Sequence, residues 1–313
     1  MEYKQSNLLV RDLLLVIGDT DLRTRKQNAY LTETWFHKLL FDLKKRVENP
    51  EVKQALQFYW YKHGPFSETV KRELGNLVDE KQFSKIRNEH GFVMYHFEGT
   101  PKMSKEECFN EARVVLDQIM RETDLFNLKA KMKQIYADAP YEFMGQYKFD
   151  YLERITEFKE FIDIGEDNQE FLQNYKGTVI ESLYNCEACL PTDETFSEFN
   201  QIFANMVGDL TNFLSQDTPI DLFLLGESIK VSKEAWECFT KGIRIEWHDP
   251  LYEEKISFWK RDFSDCIKGF NKTVALLSEE LLKKYSDTSL GDIEPKTGAN
   301  TIMKAIVLGY TNE

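Results

Sequence analysis

The sequence predicts a mainly α protein with one small β-hairpin, in which a winged-helix-like N-terminal domain precedes a C-terminal helical bundle. Three observations predict it. Apolar residues recur at helical spacing through most of the 313 residues. One stretch, residues 83–97, instead has two β-type arms around Asn88-Glu89-His90-Gly91, with Gly91 supplying the turn. The order before it, helix, helix, corner, helix, hairpin, is that of a winged-helix-like unit over residues 1–98. Residues 99–150 then read as a helical extension and residues 151–313 as the bundle.

Each element has a local reason. Leu8 to Ile17 is an apolar run whose length and leucine content favour a helix, ended by Gly18 and Asp19. In "LTETWFHKLLFDLKKRV", Thr32 or Thr34 can cap a helix that places Phe36, Leu39, Leu40 and Leu43 on one face. Lys44, Lys45 and Arg46 meet the negative end of its dipole, and Asn49-Pro50 stops it. Phe58 to Tyr61 is β-favouring but equally suits a helix end. Gly64-Pro65 forces a corner, because glycine tolerates unusual dihedrals, proline fixes its own φ, and the residue before proline leaves the helical region. Ser67 then caps a helix that buries Val70, Leu74, Leu77 and Val78 and ends near Glu80.

Beyond Thr100-Pro101, Ser104 and Glu107 form a capping-box pair, and Asp124 caps the helix of "DLFNLKAKMKQIY". "DAPYEFMGQY" reads as a loop. Helices are expected near 147–162, 167–189, 194–216, 229–246 and 250–285, a loop over 287–300, and a last apolar segment, "TIMKAIVLGY", able to dock as a strand or short helix.

The totals exclude several classes. With 42% hydrophobic and 30% charged residues the composition is globular rather than disordered. No run approaches the roughly 20 apolar residues of a membrane helix, so no membrane partner is expected, and no secretory signal pattern opens the chain. Five scattered cysteines suit a reducing cytoplasm. The net charge of −13 is uneven: residues 1–98 hold 16 Lys and Arg against 14 Asp and Glu, and the remainder holds 24 against 39. That acidic remainder repels nucleic acid, which leaves only the N-terminal part to touch DNA.

Organised chemistry is not found. Cys186 and Cys189 form a C-x-x-C without the second pair a zinc site needs, and Cys108, Cys238 and Cys266 stand alone. His37, His63, His90, His96 and His248 match no ligand spacing, and there is no phosphate loop or nucleophile elbow. No catalytic residue, metal or cofactor is therefore expected. Lys71 and Arg72 face away from the buried side of their helix, and Lys81, Lys85 and Arg87 lead to the hairpin, where they suit phosphate contacts or a solvated surface. The aromatic run Phe58 to Tyr61 suits base stacking, a core or a protein interface.

"FHKLLFDL" (36–43), followed by "YWYKHGPFSETV", resembles the Panacea antitoxin domain and its uncharacterised archaeal and phage relatives. Lys38, Leu39 and Leu40 match the first element of that domain; Tyr61, Gly64, Pro65 and Ser67 match its aromatic-Gly-Pro corner. "IYADAPYEF" (135–143) is similar to a segment of the archaeal relatives, so the resemblance covers about residues 7–150. His63 stands where the antitoxins usually carry Tyr, and Phe66-Ser67-Glu68 replaces their small apolar residues. The resemblance implies a non-enzymatic binding domain that neutralises a toxin by direct contact, which is analogy because fold does not fix function. The expected binding residues are therefore Tyr61, Gly64, Pro65 and Ser67 from the resemblance, His63 from its place at the corner, and Lys71, Arg72 and Arg87 from the phosphate-contact reading. Two alternatives stay open: a DNA-binding regulator using residues 67–97, with the bundle forming a homodimer, and an enzyme with its site in the C-terminal half.

Overall fold

The computed structural model describes residues 2–25, 29–89, 91–99, 107–166, 168–216 and 220–288. They are mainly helical, with a small antiparallel sheet and a separate two-stranded hairpin.

The first helix, α1 (Glu2–Arg25), runs straight through Gly18 and Asp19, where the sequence suggested an end. Gly18 has a packing role instead. A Cβ there would lie 2.6 Å from the Phe83 ring and 2.9 Å from Phe97 Cβ, so its absence lets the sheet approach the helix. Strand β1 (Leu31–Thr32) leads directly into α2 (Glu33–Arg46), with Thr32 at the N-cap position but its side chain making no cap bond. Asn49-Pro50 does not end α2, which stops at Arg46; it opens α3 (Pro50–Ala55), where the Asn49 side chain accepts the Glu51 and Val52 amides.

The Gly64-Pro65 corner is one arm of a tight β-hairpin. β2 (Tyr59–Tyr61) pairs antiparallel with β3 (Gly64–Phe66), Tyr61 opposite Gly64, so Lys62 and His63 make the turn. α4 (Glu68–Asp79) follows at once, capped by Ser67, whose hydroxyl accepts the Val70 amide at 3.4 Å. Val70, Leu74 and Leu77 are buried along it. β4 (Phe83–Arg87) and β5 (Val93–Phe97) form the expected hairpin, and β1 pairs with the other side of β5, giving the order β1-β5-β4. His90 lies outside the described residues.

α5 (Glu107–Glu122) packs on α1 and α2. Ser104 of the expected capping box is outside the described residues. α6 (Leu128–Ala137) is capped by Asn127 rather than Asp124, whose carboxylate accepts the Phe126 amide just before the helix. The expected loop at 138–147 contains α7 (Glu142–Gly145), which continues through a π-helical turn, Gln146–Tyr151, into α8 (Leu152–Asp163). α9 (Gln169–Ala188), α10 (Ser197–Leu214), α11 (Leu222–Glu246) and α12 (Ile256–Thr288) complete the described chain. α11 starts at Leu222 rather than 229 because Asp221 accepts the Phe223 and Leu224 amides. The expected loop and last apolar segment fall outside the described residues from 289 onward.

Two hydrophobic cores result. The first joins α1 to α5 and the sheet, with Leu13, Phe36, Leu39, Leu74, Phe83 and Phe97 at its centre. The second gathers α7 to α12 around Phe143, Tyr147, Phe199 and Phe239. The aromatic run divides between them: Phe58 belongs to the first, whereas Tyr59 and Trp60 belong to the second. Backbone bonds reinforce the crossing, with the Trp60 amide donating to the Trp247 carbonyl at 3.1 Å and the Asp249 amide to the Phe58 carbonyl at 2.8 Å. Among the described residues no helix is long and apolar enough to cross a membrane.

Candidate functional site

Residues 36–43 and the aromatic-Gly-Pro segment meet at the β2–β3 hairpin. Lys38, on α2, is 1% exposed, and its Nζ donates to the Pro65 carbonyl at 3.1 Å. Gly64 is required twice over. Its φ is +88°, and a Cβ would lie 3.0 Å from Lys38 Nζ and 3.2 Å from the Tyr136 ring. Burial drives the Lys38 amine well below the ordinary lysine pKa; Lys148 adds to the effect and Asp42 opposes it. Asp42 itself is ion-paired with Lys131.

His37, the neighbour of Lys38, is 3% exposed. Its Nδ1 accepts the Ser67 amide at 3.2 Å, which puts the ring proton on Nε2. Nε2 is buried without a hydrogen-bond partner, the Glu33 carboxylate being 3.6 Å away. The ring stacks on Phe66 with centroids 4.5 Å apart. Burial lowers its pKa, against the pull of Glu33. His63, at the hairpin turn, is exposed as a residue. Enclosure of its ring, then the charges of Lys148, Lys38 and Lys62, push its imidazole down to about 4.

The hairpin is held from the second core through one backbone carbonyl. Lys62 O accepts Lys148 Nζ at 3.1 Å, Trp236 Nε1 at 3.3 Å and the Tyr136 hydroxyl at 3.4 Å. The Lys148 ammonium lies 4.8 Å from the Tyr136 ring centroid, 5.3 Å from Trp236 and 5.8 Å from Phe149. Burial brings its pKa down to about 8. The π-helical turn that carries Lys148 is anchored by the Tyr147 hydroxyl, which donates to the Ser232 carbonyl at 2.8 Å. Such turns are frequent at functional sites. A cavity of about 520 Å³ lies beside it, lined by Lys133, Tyr136, Glu142, Phe149 and Asp150 among others.

On the hairpin's outer side runs an open groove of about 660 Å³ lined by Tyr59, Tyr61, Phe66, Lys71, Arg72 and Arg244, with Glu68 at its edge. Arg244 lies 5.5 Å from the Tyr61 ring centroid and pairs with Asp262; Lys71 lies 5.9 Å from that of Phe66. Arg72 donates to Asn7 at 2.9 Å and to Glu73 at 3.1 Å.

Of the residues expected from sequence, Tyr61, Lys71 and Arg72 share this groove, whereas Tyr61, His63, Gly64 and Pro65 line a smaller cavity against α2. Ser67 is buried, with its hydroxyl used as a helix cap. Arg87 is exposed on β4 and lines neither. Sequence reasoning missed Arg244, Lys148, Tyr136 and Trp236, which reach the hairpin from distant helices with no shared spacing. His37-Lys38, adjacent on a largely buried helix, was the one legible signal.

The other candidates resolve structurally. Cys186 and Cys189 are free thiols; burial pushes Cys189 up to about 11 and Cys186 higher, so neither is a ready thiolate. Cys238 and Cys266, isolated in sequence, are free thiols close enough to act on each other between α11 and α12. His96 Nδ1 lies 2.8 Å from the Ala29 carbonyl, and His248 forms a β-bridge with Tyr59. Among the described residues no group of three or more His, Cys, Asp or Glu could hold a metal ion. No family model matches this chain, and no curated protein or solved structure does either.

Proposed function

We propose that this chain is a non-enzymatic interaction protein of the antitoxin kind, which holds a protein partner, such as a toxin or another prophage or defence component, against the groove beside the Gly64-Pro65 hairpin. The observation that carries this reading is the Lys38–Pro65 hydrogen bond. It makes one physical unit of the two segments that resemble the antitoxin domain. The groove supports the mode of binding. Tyr61 and Phe66 supply aromatic contact area, and Lys71 stands as a cation at its edge, with Arg72 and Arg244 already paired with Glu73 and Asp262. An acidic segment carrying an apolar anchor is the partner surface this edge complements.

Co-expression with the product of a neighbouring gene tests it. The two proteins are expected to co-purify, and Tyr61→Ala with Lys71→Glu should weaken the complex at least tenfold while leaving the melting temperature of the free chain within a few degrees. Wild-type affinity in that double variant would remove the groove from the interface.

A DNA-binding regulator is the second reading. Leaving aside α3 and the β2–β3 hairpin, which fall between α2 and α4, the remaining order α1, β1, α2, α4, β4, β5, with β1 paired to β5, supports a winged-helix-like reading in which α4 is the reading helix and β4–β5 the wing. Against it, Arg72 is already bonded to Asn7 and Glu73, and α4 ends in Asp79 and Glu80. Salt-dependent DNA retention with a slope reduced by about one for each of Lys71→Ala and Arg87→Ala would favour it over protein binding.

A further inference from the structure

Between α2 and the β2–β3 hairpin lies a cavity of about 150 Å³, roughly the volume of five water molecules. Its wall is largely apolar, with Tyr61, Pro65 and Phe66 contributing. Two polar groups in it are out of balance. A lysine amine brings up to three donors, and Lys38 has a single acceptor among the described residues, the Pro65 carbonyl, with no carboxylate within ion-pair distance. The His37 Nε2–H has no acceptor within hydrogen-bond distance, the Glu33 carboxylate lying 3.6 Å away. Both side chains are more than nine-tenths buried, where unmet donors are costly.

The surroundings narrow what can meet them. Lys148 lies close enough to act on Lys38, and Lys38, Lys62 and Lys148 all act on His63, so three lysines converge on this end of the hairpin. Glu33 lines the same cavity with its side chain one-third exposed, and its pKa is held below the ordinary glutamate value, chiefly by His37, so it stays ionised. Glu33 repels any anion, and a doubly charged phosphate about twice as strongly as a singly charged group. A single carboxylate suits both conditions, with two oxygens for the two donors and an apolar stem for the Tyr61 and Phe66 walls.

We propose that this cavity binds a carboxylate carried on a short apolar stem, with the Lys38 amine and the His37 Nε2–H as its hydrogen-bond donors. The same chemistry arrives on a free small acid or on a peptide, as a glutamate side chain or a C-terminal carboxylate. The site does not depend on the groove or on the interaction reading above.

The test uses the full chain, calorimetric titration and the histidine ring NMR signals. Propionate is expected to saturate with a Kd on the order of 1 mM or tighter and to shift the His37 signals. Propionamide, of the same shape without the charge, should bind at least tenfold more weakly, and inorganic phosphate no better than propionamide. Lys38→Met should lose tenfold or more in propionate affinity; if that variant fails to fold, the propionate–propionamide ratio on the wild-type chain still decides. Tighter binding of acetyl-glutamate methylamide or acetyl-glycyl-leucine than of propionate would support the site and identify a peptide as the source. Propionate as the tightest ligand would support a free acid. Equal binding of propionate and propionamide, no saturation by any carboxylate, or unchanged affinity in a folded Lys38→Met would overturn it. Loss of partner capture with propionate binding intact would count against the interaction reading alone.

Discussion

Gly64 and Lys38 constrain each other at the level of single atoms, because the positive φ and the 3.0 Å approach both forbid a side chain at position 64. Gly64→Ala should destabilise the chain by about 1–3 kcal/mol, measured by urea unfolding. Lys148 gives a pH signature. Its pKa is about 8 when folded and takes the ordinary 10.5 when unfolded, so between these values the unfolded chain binds more protons. Its contribution therefore strengthens as pH rises from 8 towards 10.5 and is weakest below 8. The wild-type minus Lys148→Met difference in unfolding free energy should change by about 3 kcal/mol across that window, as the shift implies. A flat difference would mean that Lys148 stays solvated. Neither residue declared this in the sequence. Lys38 was legible only as part of "KLL", and Lys148 lay in a stretch whose helical register is altered by a π turn.

Elements were legible where local chemistry and tertiary packing agree. The α4 helix has its Ser67 cap, its apolar stripe and its end near Glu80 where the sequence put them, and the 83–97 hairpin follows from its own turn. Disagreement arose where a residue has two uses. Gly18 is a helix breaker by propensity, but in α1 it is the gap into which Phe83 and Phe97 fit. Gly18→Ala separates the two: an exposed helical glycine would gain up to about 1 kcal/mol from the change, whereas this one should lose about 1–3 kcal/mol through overpacking. Thermal denaturation reads the sign directly. Asn49-Pro50 shows the same ambiguity, since a pair that reads as a helix stop is here the start of the next helix. The groove was half legible: Tyr61, Lys71 and Arg72 are close in sequence, but Arg244 comes from α11, and no single sequence states that pairing.

Across the whole molecule, two cores meet along a narrow seam in which Phe58 to Tyr61 runs beside Trp247 to Asp249. Asp249 is one polar link there, beside Tyr252, whose hydroxyl accepts the Glu68 amide at 3.1 Å and donates to the Gln57 carbonyl at 3.3 Å. The Asp249 carboxylate accepts the Phe58 amide and pairs with Lys44 of α2. Asp249→Ala should cost about 1–3 kcal/mol by leaving that amide and ammonium unmet. Loss of the link should also separate the unfolding of the cores, seen as two hydrogen-exchange phases where the wild type has one. The charge asymmetry in the sequence had marked two regions. It did not indicate that α5 belongs with the first core and α7 with the second. That division depends on which apolar faces meet, a long-range property that periodicity does not encode.

The carbonyl of Lys62 has one further consequence. A two-residue turn ending in an exposed histidine looks like an easy target for a protease, and exposed loop tips are usually where chains tolerate cutting or insertion. A protease must draw the backbone out into an extended strand, and here that would break the bonds from Lys148, Trp236 and Tyr136 together. Limited trypsin digestion of the native chain should therefore spare the bond after Lys62, and a peptide inserted there should break the second core's hold on the hairpin.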